Sequence, residues 1–140
     1  MSGKTWLGGI YLKDEGGYEI ILRSLIHYKK RLKTVDKSPE IKDSAAMFGG
    51  ILMLAARKTV PKIDEIIGKI HQSLPFAQLV NTLNENIPFL EKALTSYETD
   101  IHKAQDTGHE YYLNLIGDLA SVKGDLELIK IAKSKINQFE

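Results

Sequence analysis

The sequence predicts an all-α protein, an antiparallel up-and-down four-helix bundle with a glycine-rich N-terminal arm and one short extra helix. Three observations carry that expectation. Apolar residues recur three or four positions apart from Tyr18 to Ile136, the spacing that gathers them on one helical face. The four prolines fall at 39, 61, 75 and 88, mostly beside caps and polar clusters. The segments between the periodic stretches are brief, which favours neighbouring helices that run antiparallel. A chain of 140 residues is the size of one domain and large enough for a core of its own. We therefore expect a single domain over 1–140, with 1–17 as the arm and 18–140 as the bundle.

Five of the eleven glycines (Gly3, Gly8, Gly9, Gly16 and Gly17) lie in the arm, which predicts an irregular or briefly extended segment. Trp6, Leu7, Ile10, Tyr11 and Leu12 should pack it onto the body. The first helix follows from Tyr18, Ile21, Leu22, Leu25, Ile26, Leu32 and Val35. A second helix is expected at Ser38, Pro39 and Glu40, which supply a cap hydroxyl, a proline at the first helical position and an acid at the positive end of the dipole. Its centre, Ala45 to Ala56, is apolar on almost every face and should be the most buried element, with Ala45/Gly49 and Ala46/Gly50 allowing close approach. Pro61 marks a kink or a new start, and one long bent helix is favoured because Ile63, Ile66, Ile67, Ile70 and Leu74 continue the stripe. Phe76, Leu79, Val80 and Leu83 form the short extra helix between Pro75 and the Asn81, Asn84, Asn86 cluster.

Leu90, Leu94, Tyr97, Ile101 and Ala104 predict the next helix, ending before Gly108. Tyr112, Leu115, Leu119, Val122, Leu126, Ile129 and Ile136 predict a last helix of ~30 residues and ~45 Å, long and nearly straight. Gly117, Ala120, Ser121 and Gly124 would give it a small-residue face for another helix. Tyr111 and Tyr112 should form an aromatic anchor at its start.

Composition narrows function more than it specifies it. The absence of cysteine removes disulfides, thiolate metal sites and thiol nucleophiles, and suits the cytoplasm. A formal net charge of +1 gives no broad field for nucleic acid or an anionic membrane. The longest apolar run, about 12 residues, falls short of the ~20 a membrane span requires. His27 to Lys33, HYKKRLK, could contact phosphate, but basic residues at a helix C-terminus also suit its dipole without any partner, and a solvated face is the simpler expectation. A di-metal centre needs carboxylates and Glu-x-x-His motifs that the four histidines (His27, His71, His102, His109) do not complete, so these are expected on solvated helix surfaces. Gly3-Lys4-Thr5 lacks the first glycine and the preceding strand of a P-loop. No serine sits in an elbow motif.

Gly3-Lys4-Thr5-Trp6-Leu7-Gly8-Gly9, then Lys13-Asp14 and the helix from Tyr18, resembles the opening of the ATP:cobalamin adenosyltransferases, trimeric helical bundles. The resemblance covers about the first fifth of the chain. It implies a ferritin-like bundle, a homo-oligomer, and ATP with magnesium held by Lys4, Thr5, Gly8, Gly9 and Lys13. The family's arginine-rich helix motif and its later Asn-Arg-Leu-Ser-Asp-like motif have no counterpart, and in that respect the chain is similar to archaeal helical-bundle proteins that share the fold without the enzyme's signature. The first expectation for function is therefore a non-catalytic bundle acting through oligomerisation or partner binding, with nucleotide or cofactor binding by the arm as the alternative.

Overall fold

In a computed structural model, residues 7–39, 45–76, 80–117 and 119–138 are described, and they are helical with no strand among them. Six helices exceed a single turn: α1 (Leu7–Asp14), α2 (Tyr18–Lys33), α3 (Ala45–Ser73), α4 (Ile87–Thr107), α5 (Glu110–Ile116) and α6 (Asp125–Lys135). Short 3₁₀ turns cover Val35–Lys37 and Asn81–Asn86, and one further helical turn covers Leu119–Val122. No helix among the described residues is long and apolar enough to cross a membrane.

α2 and α4 form the centre. α2 packs against α3 on one side and against α4, α5 and α6 on the other, while α4 also carries α5 and α6. The stripes expected from the sequence supply the core: Ile21 and Leu25 from α2, Ile63, Ile66 and Ile70 from α3, Leu90, Leu94, Tyr97, Ile101 and Ala104 from α4, and Ile129 from α6 are all buried. Ile26 is an exception; although it shares the apolar spacing of α2, it is 57% exposed, and it borders the cleft described below. α4 ends as expected, with Gly108 in the left-handed conformation at φ 64° and its amide donating to the Ala104 carbonyl.

The N-terminal segment departs from the expected irregular or briefly extended arm in its described part, since Leu7–Asp14 is α-helical; residues 1–6 lie outside the described ones. Gly8, Gly9, Tyr11 and Leu12 are buried in that helix, and the Leu7 amide donates to the Gln138 carbonyl at 2.9 Å. Burial against α2, α6 and the 81–86 turn outweighs a glycine cost of roughly 1 kcal/mol per residue. The expected short helix at 76–83 is also different. Val80 and Leu83 are buried, but Asn81–Asn86 is 3₁₀ and Phe76 is exposed; residues 77–79 lie outside the described ones. The start of the second helix at Ser38–Glu40 is only partly visible, because Ser38 closes the 35–37 turn and 40–44 are outside the described residues.

α3 runs unbroken through Pro61 for 29 residues, as favoured from the sequence. It was also expected to be the most buried element, and there the structure corrects the sequence. Among the described side chains of that run, 50–56, Ile51 is 65% exposed and Leu54 55%, Leu52 and Met53 are half-buried and Ala56 is buried; the side chains of 45–49, and with them the Ala45/Gly49 pair and Ala46, lie outside the described ones. The cause is the helical period: Leu54 falls in line with exposed Lys58, Pro61 and Glu65, on the face of α3 opposite the buried Ile63, Ile66 and Ile70. Lys29 of α2 pairs with Asp64 at 2.6 Å, while Leu32 and Lys33 share a cleft with Ala56, Arg57 and Val60, so the two helices run antiparallel. At 1.5 Å per residue the 16-residue α2 spans about 24 Å and α3 about 43 Å, so the N-terminal half of α3 overhangs the end of its partner.

The single last helix is the other correction. It is interrupted twice, at Gly117 and again at Lys123–Gly124. Gly117 adopts φ 80°, ψ −136°, the mirror image of extended backbone, which only glycine enters without strain. The apolar spacing survives these breaks, since Tyr112, Leu115, Val122, Ile129 and Ile136 are all buried. The small-residue face at Gly117, Ala120 and Gly124 is exposed. Tyr111 and Tyr112 pack edge to face at 5.4 Å, as the aromatic anchor requires.

Candidate functional site

Where α2 crosses α4 and α6, the core turns polar. Arg23, His27 and Arg31 are four apart and share one face of α2, while Tyr97 and Asp100 are three apart on α4. Asp125 opens α6, where a carboxylate also favours the positive end of the dipole. His27, Asp100 and Asp125 are at most 4% exposed. The Asp100 Oδ2 accepts from His27 Nε2 at 2.8 Å and from Arg31 Nη1 at 3.2 Å. Asp125 accepts from Arg23 Nη1 at 2.5 Å through Oδ1 and from the Tyr97 hydroxyl at 2.7 Å through Oδ2. The two clusters adjoin, since the His27 and Tyr97 rings are 5.0 Å apart.

Burying two carboxylates is costly unless charge and hydrogen bonds satisfy them, and α2 supplies both kinds of partner. Satisfaction is incomplete, however: His27 Nδ1 and Asp100 Oδ1 are buried with no hydrogen-bond partner. Burial raises the Tyr97 hydroxyl pKa well above its ordinary value of 10, and the hydrogen bond to Asp125 and that residue's negative charge raise it further. Tyr97 is thus a fixed donor at neutral pH.

This polar crossing forms one wall of a cleft of about 340 Å³, lined by Arg23, Ile26, His27, Lys30, Tyr97, Leu115, Ile116 and Gly117. The turn at Gly117 ends α5 beside the cleft and keeps the following chain out of the line of that helix. Lys30 reaches the Asn114 carbonyl of α5 from the same rim.

A second feature is apolar. Leu32, Lys33, Met53, Ala56, Arg57, Val60 and Pro61 line a cleft of about 300 Å³ between the end of α2 and α3.

The residues singled out at the N-terminus are placed elsewhere. Gly8 and Gly9 lie buried in the first turn of α1, and half-buried Lys13 in its last turn stands 3.6 Å from Asp14. Lys4 and Thr5 lie outside the described residues. None of the three that are described borders the cleft at α2. The HYKKRLK run is a solvated face only in part: Lys30 and Lys33 are exposed and Lys29 meets Asp64 at the surface, whereas His27 and Tyr28 are buried and Arg31 reaches the buried Asp100. His27 is likewise buried rather than at the surface, although His71, His102 and His109 are exposed. Glu98, spaced four from His102, instead meets Lys133 at 3.3 Å.

Comparison with known families, curated proteins and solved structures gives no match. The residues of the polar crossing did carry a signal in the sequence. Asp100 sits within the apolar face of α4 between Tyr97 and Ala104, and Asp125 sits between Val122 and Ile129. An acid at a core position demands a basic or hydrogen-bonding partner, and Arg23, His27 and Arg31 share the one stripe able to provide it.

Proposed function

We propose that this chain acts by oligomerisation or partner binding rather than by catalysis, through the overhanging half of α3. The observation that carries the proposal is the exposure of Ile51 and Leu54 in a run, Gly50 to Ala56, that contains no charged residue. Contiguous exposed apolar surface on a helix marks an association site more often than isolated apolar residues do. Fully burying one such side chain contributes about 1.5–3 kcal/mol, so Ile51 and Leu54, each already partly covered, would together contribute roughly 2–3 kcal/mol per copy. A net charge of +1 leaves little repulsion between copies.

The finer architecture that accompanies this function is an up-and-down four-helix bundle. α2, α3 and α4 are three of its members and the interrupted 110–135 segment is the fourth. Antiparallel cross-links between α2 and both α3 and α5 support it.

Light scattering across a concentration series tests the association. The parent chain is expected to self-associate, and Ile51→Lys with Leu54→Lys to yield a monomer that keeps the parent's helical circular dichroism, because both side chains are exposed in the single chain. A parent chain that stays monomeric at high concentration counts against self-association. A surface that binds no apolar helical peptide either would end the proposal.

Nucleotide binding of the adenosyltransferase type at Lys4, Thr5, Gly8, Gly9 and Lys13 is the second candidate. Gly8 and Gly9 favour it in that a backbone without side chains can approach a phosphate closely. Their burial and the bond from the Leu7 amide to Gln138 weigh against it. Melting in the presence of ATP and magnesium separates the two, since a binder gains stability with occupancy and a scaffold does not.

A further inference from the structure

We infer that the exposed stripe of α3 docks into a cleft of a second copy, the one between α1, the start of α2 and α6, so that copies associate head to tail. This rests on the association proposed above and names the surface that α3 meets. The stripe is apolar at one end and basic at the other, since Ile51 and Leu54 fall in line with exposed Lys58, beside exposed Arg57. Neither cation forms an ion pair among the described residues. The same stretch of a second α3 cannot answer that charge, because between Gly50 and Ile63 it holds Arg57, Lys58 and Lys62 and no carboxylate.

A complementary surface offers apolar side chains beside acids that are free to pair. Exposed Ile26 does not qualify, because it shares its cleft with Arg23 and Lys30. Leu128 and Ile131 do. They are three apart on α6, the spacing of Ile51 and Leu54, and each is 39% exposed. With Tyr11, Glu15 and Glu19 they line a cleft of about 370 Å³. Both glutamates are exposed and neither forms an ion pair among the described residues. Arg23 also reaches this cleft, but Asp125 already meets its charge, so the two glutamates leave the cleft acidic.

Docking sets Ile51 and Leu54 against Leu128 and Ile131 and brings Arg57 and Lys58 to Glu15 and Glu19. Exposed ion pairs contribute little affinity but select a partner and its orientation, so the apolar side chains hold the contact and the charges choose the surface. α3 and α6 pack on opposite sides of α2, so one chain cannot join its own stripe to its own cleft. Every copy therefore presents both halves of the contact. A heterologous contact of this kind closes into a ring or continues as a chain, and does not stop at a dimer.

Sedimentation of two complementary variants of the full chain tests the inference. Glu15→Lys with Glu19→Lys reverses the charge of the cleft, and Ile51→Lys with Leu54→Lys removes the apolar end of the stripe; all four side chains are exposed, so both variants should keep the parent's circular dichroism. Alone, each is expected to associate at least about tenfold more weakly than the parent. Mixed, they should form a one-to-one complex and nothing larger, because the intact stripe of the first meets the intact cleft of the second while the reverse contact is lost. Arg57→Glu with Lys58→Glu leaves the cleft untouched and supplies a second test should the cleft variant fail to fold. An acidic stripe facing an acidic cleft should again weaken association at least about tenfold, whereas two α3 stripes facing each other would carry like charges before and after and would not change. The inference is overturned if the folded cleft variant associates as the parent does, if the mixture gives no complex, or if the Arg57→Glu, Lys58→Glu chain associates as tightly as the parent. In each of those cases a monomeric Ile51→Lys, Leu54→Lys chain still supports association through α3, whereas a parent that stays monomeric ends both readings.

Discussion

Replacing Gly117 with alanine distinguishes an interrupted last segment from a continuous one, because the two predict opposite signs. At φ 80°, ψ −136° an alanine side chain is strained by the backbone alone, at about 1–3 kcal/mol. A Cβ built there meets nothing within 4 Å, so no clash contributes and the whole effect is conformational. Were the segment one helix, the same change would instead stabilise by roughly 0.5–1 kcal/mol, the helical advantage of alanine over glycine. Unfolding entropy of ~2.1 cal/mol/K per residue over 140 residues comes to about 0.3 kcal/mol/K, so the strained case lowers the melting temperature by about 3–10 °C. Gly68→Ala is the internal reference. Gly68 lies inside α3 with open space at its Cβ position and should raise the melting temperature by about 2–3 °C. Calorimetry or thermal circular dichroism on the three proteins decides the matter. A rise for Gly117→Ala matching that of Gly68→Ala would refute the break at 117 and with it the shape of the cleft.

Two further perturbations probe the polar crossing. Asp100→Ala removes the acceptor shared by buried His27 and Arg31, and urea unfolding should report a loss of about 3–5 kcal/mol, whereas Asp106→Ala on the exposed end of α4 should stay within about 0.5 kcal/mol. A loss below ~1 kcal/mol for Asp100→Ala would mean that the pair is not buried as described. At high pH the sign follows from Tyr97, whose folded pKa lies above its unfolded value of about 10. The folded state therefore favours the neutral phenol, and that stabilisation is whole below about pH 10 and disappears as pH rises toward the folded value. Absorbance titration should find Tyr97 ionising only with unfolding. Tyr97→Phe should flatten the fall in stability above pH 10, and an unchanged slope would remove Tyr97 as its source.

Local pattern was enough for the helices themselves. The stripe from Leu90 to Ala104 predicted α4 with its glycine cap, and the stripe from Ile63 to Ile70 carried α3 through Pro61, because the helical period records directly which side chains face a core. The last segment failed for the complementary reason. Tyr112, Leu115, Val122, Ile129 and Ile136 keep a helical spacing across two breaks, and spacing reports burial without reporting backbone angle. Only the packing of α5 and α6 against α4 fixes Gly117 in a conformation its neighbours cannot share. The described part of the apolar run, 50–56, failed likewise, since apolarity on every face says that a helix wants neighbours and not that the chain provides them.

The polar crossing divides along the same line. Acids within the apolar stripes of α4 and of the last segment, and a basic stripe on α2, were all present in the sequence. Which acid meets which base was not, because His27 and Asp100 are 73 residues apart, and Arg23 and Asp125 are 102 apart. The sequence alone determined a helical chain, its main boundaries and the faces that had to be hidden, since these depend on interactions within a few turns. Tertiary structure alone decided that α3 outruns α2, that Gly117 breaks the last segment, and that two carboxylates and a histidine gather beside an open cleft. Those outcomes depend on relative helix lengths and long-range pairings, and no local period encodes them.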